Sequence, residues 1–272
     1  MASEGRAAGG SGAADRVGTD DQIVLETSDL RRTYQGIHAV DGVSVRLTRG
    51  RLTGLIGPNG AGKSTLLGML AGTIAPSSGS IRYDGHEITS IPTYRRARSG
   101  LVRTFQLSSE FKRLTVLENL LSAVQGDPGD SLAGAIFRRP QWRRFEKEQL
   151  ARAWRLLEQT RLTAHADSYA GDLSGGQRRL VEIMRALMAG PRLLLLDEPM
   201  AGVHPRLAIE IGEHLLRLRD EGVSILMVEH ELSIVDQLCD PVVVMAEGRV
   251  LSQGTMAALR QETAVVEAYL VG

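Results

Sequence analysis

The order of apolar and polar positions changes character twice along this chain, and each change marks a different kind of element. From Gln22 to about Arg51, stretches such as QIVLE and VSVRL alternate apolar with polar residues and are interrupted at Gly36, Gly42 and Gly50. Period-two alternation with glycine breaks predicts half-buried antiparallel strands gathered in a small β-subdomain. Beyond Arg51 the pattern becomes one of unbroken apolar runs followed by helical spacing: LTGLI before Gly57, LLLL at 193–196 and SILMV before Glu229. Runs that are apolar on both faces predict strands of a parallel sheet covered on both sides. Residues of about 107–175 carry Leu, Arg and Glu at helical spacing and read as an inserted α-helical subdomain. Within it a helix is expected from Gln141 to Gln159 and a loop over 125–133. The C-terminal stretch predicts a hairpin of VVVM and RVLSQ turning at 246–248, then one last amphipathic helix. The expected fold is α/β: a parallel-sheet core, an N-terminal antiparallel β-subdomain and a helical insertion, forming one domain over 22–272.

Composition narrows the function classes. Residues 1–21, rich in Gly, Ala and Ser, bury too little to offset the entropy of ordering and are expected to form a disordered tail. The 272 residues include 32 Lys and Arg against 32 Asp and Glu, so no net field draws the chain to nucleic acid, and no nucleic-acid partner is expected. Cys239 is the single cysteine, which excludes an internal disulfide or a cysteine cluster for metal and fits a reducing, cytoplasmic compartment. No apolar run reaches the roughly 18 residues that span a bilayer. Contact with a membrane therefore calls for a partner.

The chemistry is concentrated at the ends of the apolar runs. GPNGAGKST at 57–65 fits G-x-x-x-x-G-K-[ST] and lies between an apolar strand and a helical pattern, the context that separates a phosphate loop from a glycine-rich structural turn. Its glycines Gly57, Gly60 and Gly62 let backbone N–H groups face phosphate oxygens. Lys63 is placed to bridge β- and γ-phosphates, and Ser64 to offer a hydroxyl to Mg²⁺. RLLLLDEP at 192–199 is an apolar strand ending in two acids, an arrangement that needs compensation unless it is a plain strand exit. Asp197 is assigned to Mg²⁺ through water and Glu198 to the attacking water. Gln106 after LVRTF and His230 after SILMVE also stand at strand ends, so with Gly57 and Glu198 they are expected to converge on one crevice, although each taken alone is an ordinary loop or structural residue. LSGGQRRLVEIMRAL at 173–187 opens with an N-cap Ser and two glycines. One nucleotide does not need a second anion-binding helix start from the same chain. Ser174, Gly175 and Gly176 are therefore expected to meet the γ-phosphate of another subunit, the alternative being a plain capped helix.

The order of Tyr34, GPNGAGKST, Gln106, LSGGQ, LLLLDEP and His230 resembles the ATP-binding subunit of an ABC transporter over about residues 22–272. The resemblance implies a P-loop NTPase (RecA-like) core that binds ATP and Mg²⁺. It implies Tyr34 stacked on adenine, a nucleotide cradle of Asn59, Gly60, Ala61, Gly62, Lys63, Ser64 and Thr65, and metal contacts from Ser64, Gln106 and Asp197. Glu198, His230 and Gln106 become the catalytic set, with His230 on the γ-phosphate and Gln106 coupling Mg²⁺ and water to the membrane partner. Ser174, Gly175, Gly176 and Gln177 become the signature presented to a partner subunit's nucleotide.

Further stretches, TFQ at 104–106, FKRLTVLENLL at 111–121, the basic insert around FRRPQWRRFEKEQ, DEPMAGV, VEHEL and the ending VVEAYLVG, resemble the branched-chain amino acid transport group. That likeness implies transmembrane permease subunits, a second ATP-binding subunit, identical or not, and indirectly a periplasmic or extracellular substrate-binding protein, with this chain at the cytoplasmic face of the membrane. His204 departs from the Asp or Asn that commonly follows A-G-[LV] in related chains. Lipopolysaccharide-export ATPases are similar in the AGV loop and the terminal pattern and form the alternative. A soluble, non-transport ABC ATPase would be expected to carry coiled-coil inserts or paired cassettes, and a non-catalytic regulator to have lost Glu198 or His230. The insert interleaves Trp142, Phe145 and Trp154 with Arg138, Arg139, Arg143, Arg144 and Lys147, which reads as a solvated helix packing its aromatics rather than a lipid or nucleic-acid surface.

Overall fold

The computed structural model describes residues 23–104, 111–126 and 139–270. The tail at 1–21, Gln106, Arg138 and positions 127–133 of the expected loop lie outside the described residues. β1 (Ile23–Tyr34) pairs antiparallel with β2 (Ile37–Val43) and β3 (Arg46–Thr48), as the alternation at the start of the chain predicts. A hairpin outside the sequence expectation completes this sheet: β5 (Ser78–Tyr83) pairs antiparallel with β1 and with β6 (His86–Glu87). Strand and turn both carry its signal, since Ile81 and Tyr83 are buried and alternate with Ser80 and Arg82. Asp84 and Gly85 both have positive φ, 47° and 75°, the two-residue Asp-Gly connection whose twist suits a hairpin.

The second sheet has the order β11 (Arg249–Gly254), β10 (Val242–Ala246), β4 (Leu52–Ile56), β9 (Ser224–Val228), β8 (Leu193–Asp197), β7 (Leu101–Arg103). β10 to β7 run parallel and β11 is antiparallel to β10, so the three apolar runs and the C-terminal hairpin are as predicted. Both faces are buried, which is why these strands read as continuous apolar runs. Leu193, Leu195, Leu226 and Val228 join a core with the antiparallel sheet and α1 (Lys63–Ala71), while Leu194, Leu196, Ile225 and Met227 face the remaining helices. α1 is sandwiched between the two sheets and is accordingly apolar around most of its circumference.

After α2 (Thr93–Arg98), the helices α3 (Val116–Leu121) and α4 (Arg139–Gln159) lie in the region of helical spacing, α5 (Gly175–Met188) follows from the LSGGQRRLVEIMRAL segment, and α6 (Pro205–Asp220) and α7 (Leu232–Leu238) flank β9. On α4, Arg143, Arg144 and Lys147 are exposed, Trp142 and Phe145 are half-buried, and Trp154 packs against the core. The single terminal helix is corrected to two, α8 (Met256–Leu259) and α9 (Thr263–Leu270). The break has a local cause. Thr255 caps α8, and Glu262, which accepts a hydrogen bond from Ser252 of β11 at 2.8 Å, supplies the carbonyl that starts α9.

Because β4, β7, β8 and β9 are parallel, their carboxyl ends share one edge of the sheet. That edge carries the glycine-rich loop after β4, the two acids at the end of β8 and His230 after β9.

Candidate functional site

The loop between β4 and α1 depends on the absence of two side chains. A Cβ on Gly57 would stand 2.0 Å from the Met245 carbonyl oxygen, and one on Gly62 2.2 Å from that of Ala39, and both residues have positive φ. The loop thus packs directly on the backbones of β10 and β2. Tyr269 of α9 reaches the same loop, hydrogen-bonded to the Gly57 backbone, and burial pushes its phenol up to about 12. Lys63 is 6% exposed and donates from Nζ to the carbonyls of Gly57 at 2.8 Å and Pro58 at 2.9 Å. Burial lowers its pKa, while the carboxylates of Glu198 and Asp197 pull it back up. Around it Asn59, Gly60 and Ser64 are exposed, Thr65 and Gly62 half-buried and Ala61 buried.

At the end of β8 the backbone turns sharply. Glu198 has φ of 49°, a left-handed conformation that costs a non-glycine residue about 1 kcal/mol and clusters at functional sites. The turn is held from several sides. The Glu198 N–H donates to the Val228 carbonyl at 3.0 Å. Arg179 of α5 donates to the carbonyls of Asp197 at 3.2 Å, Glu198 at 2.5 Å and Pro199 at 3.2 Å, and pairs with Glu182 at 2.6 Å. These bonds leave the Glu198 carboxylate half-exposed, 2.8 Å from His230 Nε2. Asp197 Oδ2 accepts from Arg103 of β7 at 2.8 Å.

Glu229, one residue before His230, is 3% exposed and joins the two loops: Oε1 accepts from the Met200 N–H at 2.8 Å and Oε2 from the His230 N–H at 3.3 Å. Burial raises its pKa, opposed by those two hydrogen bonds. The sequence reading missed Arg103, Arg179 and Glu229. For Glu229 the signal was present, an acid at the end of a fully apolar strand, the same signal that singled out Asp197 and Glu198. Arg103 and Arg179 carry no such mark, because their role is set by which carboxylate or carbonyl the fold brings alongside.

A cavity of 650 Å³ at this edge is lined by Ser64, Arg103, Arg179, Asp197, Glu198 and Gly175 among others. The structure therefore brings Ser64, Asp197 and Glu198 together, with Lys63 behind them and His230 on Glu198. Tyr34 stands at the end of β1, 40% exposed, with the Arg32 guanidinium 4.5 Å from its ring centroid. Ser174 and Gln177 form a reciprocal capping box at the start of α5, each side chain accepting from the other's N–H. Gly175 is exposed, and Gly176 leaves room for Leu207 of α6, to which a Cβ would come within 2.4 Å. His204 caps α6 through Nδ1, which accepts from the Arg206 N–H at 3.3 Å, so it performs locally the task an Asp or Asn would perform. Among the described residues no cluster of three His, Cys, Asp or Glu could hold a metal by itself. The oxygen donors of Ser64 and Asp197 on one cavity wall do suit Mg²⁺, which takes few protein ligands and fills its octahedron with phosphate and water.

The ABC transporter family profile matches residues 40–201. The chain is similar to the high-affinity branched-chain amino acid transport ATP-binding protein BraF of Pseudomonas aeruginosa, 39% identical over 91% of this chain and 97% of that protein. It is 39% identical to the probable branched-chain amino acid transport ATP-binding protein LivG of Archaeoglobus fulgidus, over 91% and 95% of the two chains. Among solved structures, a nucleotide-free ATP-binding cassette from an ABC transporter superposes with a TM-score of 0.79 at 37% identity, covering 91% of this chain and 98% of that one.

Proposed function

This chain belongs to the ABC transporter family, and we propose that it is the Mg²⁺-dependent ATPase subunit of an importer of branched-chain or similar amino acids. The observation that carries the reading is the Glu198 carboxylate, set on a strained turn beside Ser64 and Asp197 and hydrogen-bonded to His230. The names of the relatives favour amino-acid import over lipopolysaccharide export. Residues 22–272 form the ATPase unit, with the helical subdomain over about 107–175.

The β4–α1 loop holds the phosphates by backbone N–H groups and the α1 N-terminus, and Lys63 leaves its loop carbonyls for the β- and γ-phosphate oxygens. Tyr34 offers its exposed ring face to adenine. Ser64, Asp197 through water, and Gln106 would hold Mg²⁺, which would supply positive charge to the transferring phosphate. Glu198 accepts a proton from water as its oxygen attacks the γ-phosphorus. The bond from that phosphorus to the bridging oxygen breaks, and ADP leaves with the electron pair. His230 fixes the Glu198 carboxylate and meets the γ-phosphate. Ser174, Gly175, Gly176 and Gln177 close on the nucleotide of a second ATP-binding subunit, and the pair drives permease subunits at the cytoplasmic face of the membrane, supplied by a substrate-binding protein.

The test is Glu198→Gln, which keeps shape and removes the base. Expected are near-parental ATP affinity, hydrolysis at least about 100-fold slower, and an ATP-bound dimer on size-exclusion chromatography. Parental turnover would refute the assignment. Leucine uptake by proteoliposomes holding the complete complex tests the substrate class.

A further inference from the structure

Away from the nucleotide edge, a cavity of 270 Å³ opens between the end of α4, the C-terminus of α5 and the middle of α6. Its wall carries Arg152 and Arg155 of α4, and His214 and Arg217 of α6, against one carboxylate, Glu221. None of these arginines has a carboxylate within 4 Å among the described residues. Arg152 is committed to the fold, because it donates to the Leu187 carbonyl at 2.6 Å and caps the end of α5. Arg155 and Arg217, both exposed, remain for a ligand.

These like charges repel one another. Burial and the neighbouring Arg155 lower the Arg152 pKa, and burial and Arg217 lower that of His214, against weaker pulls from Gln159, Glu221 and Glu213. His214 is 8% exposed and its Nε2 has no hydrogen-bond partner. The ring is hydrogen-bonded to the Gln159 backbone, which leaves the Nε2 of the neutral ring as an unpaired lone pair, and a buried polar atom without a partner is costly.

We infer that this cavity is a second ligand site, specific for a small phosphate-type oxyanion such as diphosphate. Two guanidinium forks match its oxygens, and a P–OH group is the donor that His214 Nε2 lacks. A dicarboxylate of like charge satisfies the arginines but has no such proton at neutral pH. The site is independent of the nucleotide reading. It joins α4 to the far end of α5, which Ser174 caps at its start, and to α6, which His204 caps, so an occupant ties together the helices that leave the nucleotide face.

The experiment is calorimetric titration of the full chain, pre-saturated with Mg²⁺ and ADP, with inorganic diphosphate. One equivalent is expected to bind. Arg217→Ala and Arg155→Ala should each weaken it at least 10-fold, Lys63→Ala without nucleotide should retain it, and malonate should bind at least 10-fold more weakly. Absence of binding, loss in the Lys63 variant, indifference to both arginine substitutions, or equal affinity for malonate would overturn the inference. So would binding only to vesicles containing anionic phospholipid, which would assign the arginines to a membrane surface.

Discussion

Glu229 offers a sharp test of how the site is held, because its carboxylate touches backbone only and does not itself meet the nucleotide in the proposed mechanism. It joins the Met200 N–H, two residues beyond Glu198, to the His230 N–H. Glu229→Gln preserves shape and one acceptor. The amide oxygen keeps the 2.8 Å bond to Met200, and the NH₂ group is turned toward the His230 N–H, a donor against a donor. The lost bond, charge-assisted but long at 3.3 Å, is worth about 1.5 kcal/mol, near the low end for bonds to charged groups. In stability this is largely offset, since burying the charge is itself costly, as its raised pKa records. In catalysis there is no offset: a His230 loop loosened by about 1.4 kcal/mol predicts a kcat about 10-fold lower with KM unchanged. Glu229→Ala removes both bonds and should cost about 100-fold on the same arithmetic. The pH dependence of stability has a definite sign. A carboxyl whose native pKa is raised keeps its proton after the unfolded chain has lost its own, so stability falls as pH rises from the unfolded value, about 4.3, through the raised native one. The Gln variant should lack that decline. Steady-state phosphate release and chemical denaturation at several pH values measure both effects. Parental kcat in both variants would refute the bridging role.

Lys63→Ala should lower ATP affinity at least about 10-fold in a fluorescent-nucleotide titration, because the loop loses its one cationic contact to the β- and γ-phosphates. Ser174→Arg should spare ATP binding to the monomer yet abolish hydrolysis, read by the same titration and a phosphate-release assay, since the new side chain obstructs only a partner's nucleotide. Burial pushes the Cys239 thiol up to about 12, so thiolate is scarce at pH 8 and maleimide labelling should proceed only on unfolding.

The amino-acid order by itself determined the parallel strands, because a strand buried on both faces has to be apolar throughout. It determined the glycine-rich β4–α1 loop as well, because only glycine fits where Gly57 and Gly62 lie against the Met245 and Ala39 carbonyls. The acids at the end of β8 were legible for a related reason: charge at the end of a buried strand needs compensation. The β5–β6 hairpin was missed although Ser80, Ile81, Arg82 and Tyr83 alternate and Ile81 and Tyr83 are buried, because four residues of alternation are a weak signal and the pairing is with β1, more than fifty residues earlier. The break between α8 and α9 was not legible either, as it hangs on a hydrogen bond from Ser252 across to Glu262. What only tertiary structure decided is who meets whom at a distance. Arg103 finds Asp197 across 94 residues of chain, Arg179 gathers the carbonyls of the Glu198 turn, and Arg155 and Arg217 share a cavity wall without an ion pair among the described residues. A guanidinium reaches far on a flexible stem and suits solvent, backbone or carboxylate alike, so its sequence neighbours do not specify its partner. The packing of strands and helices does.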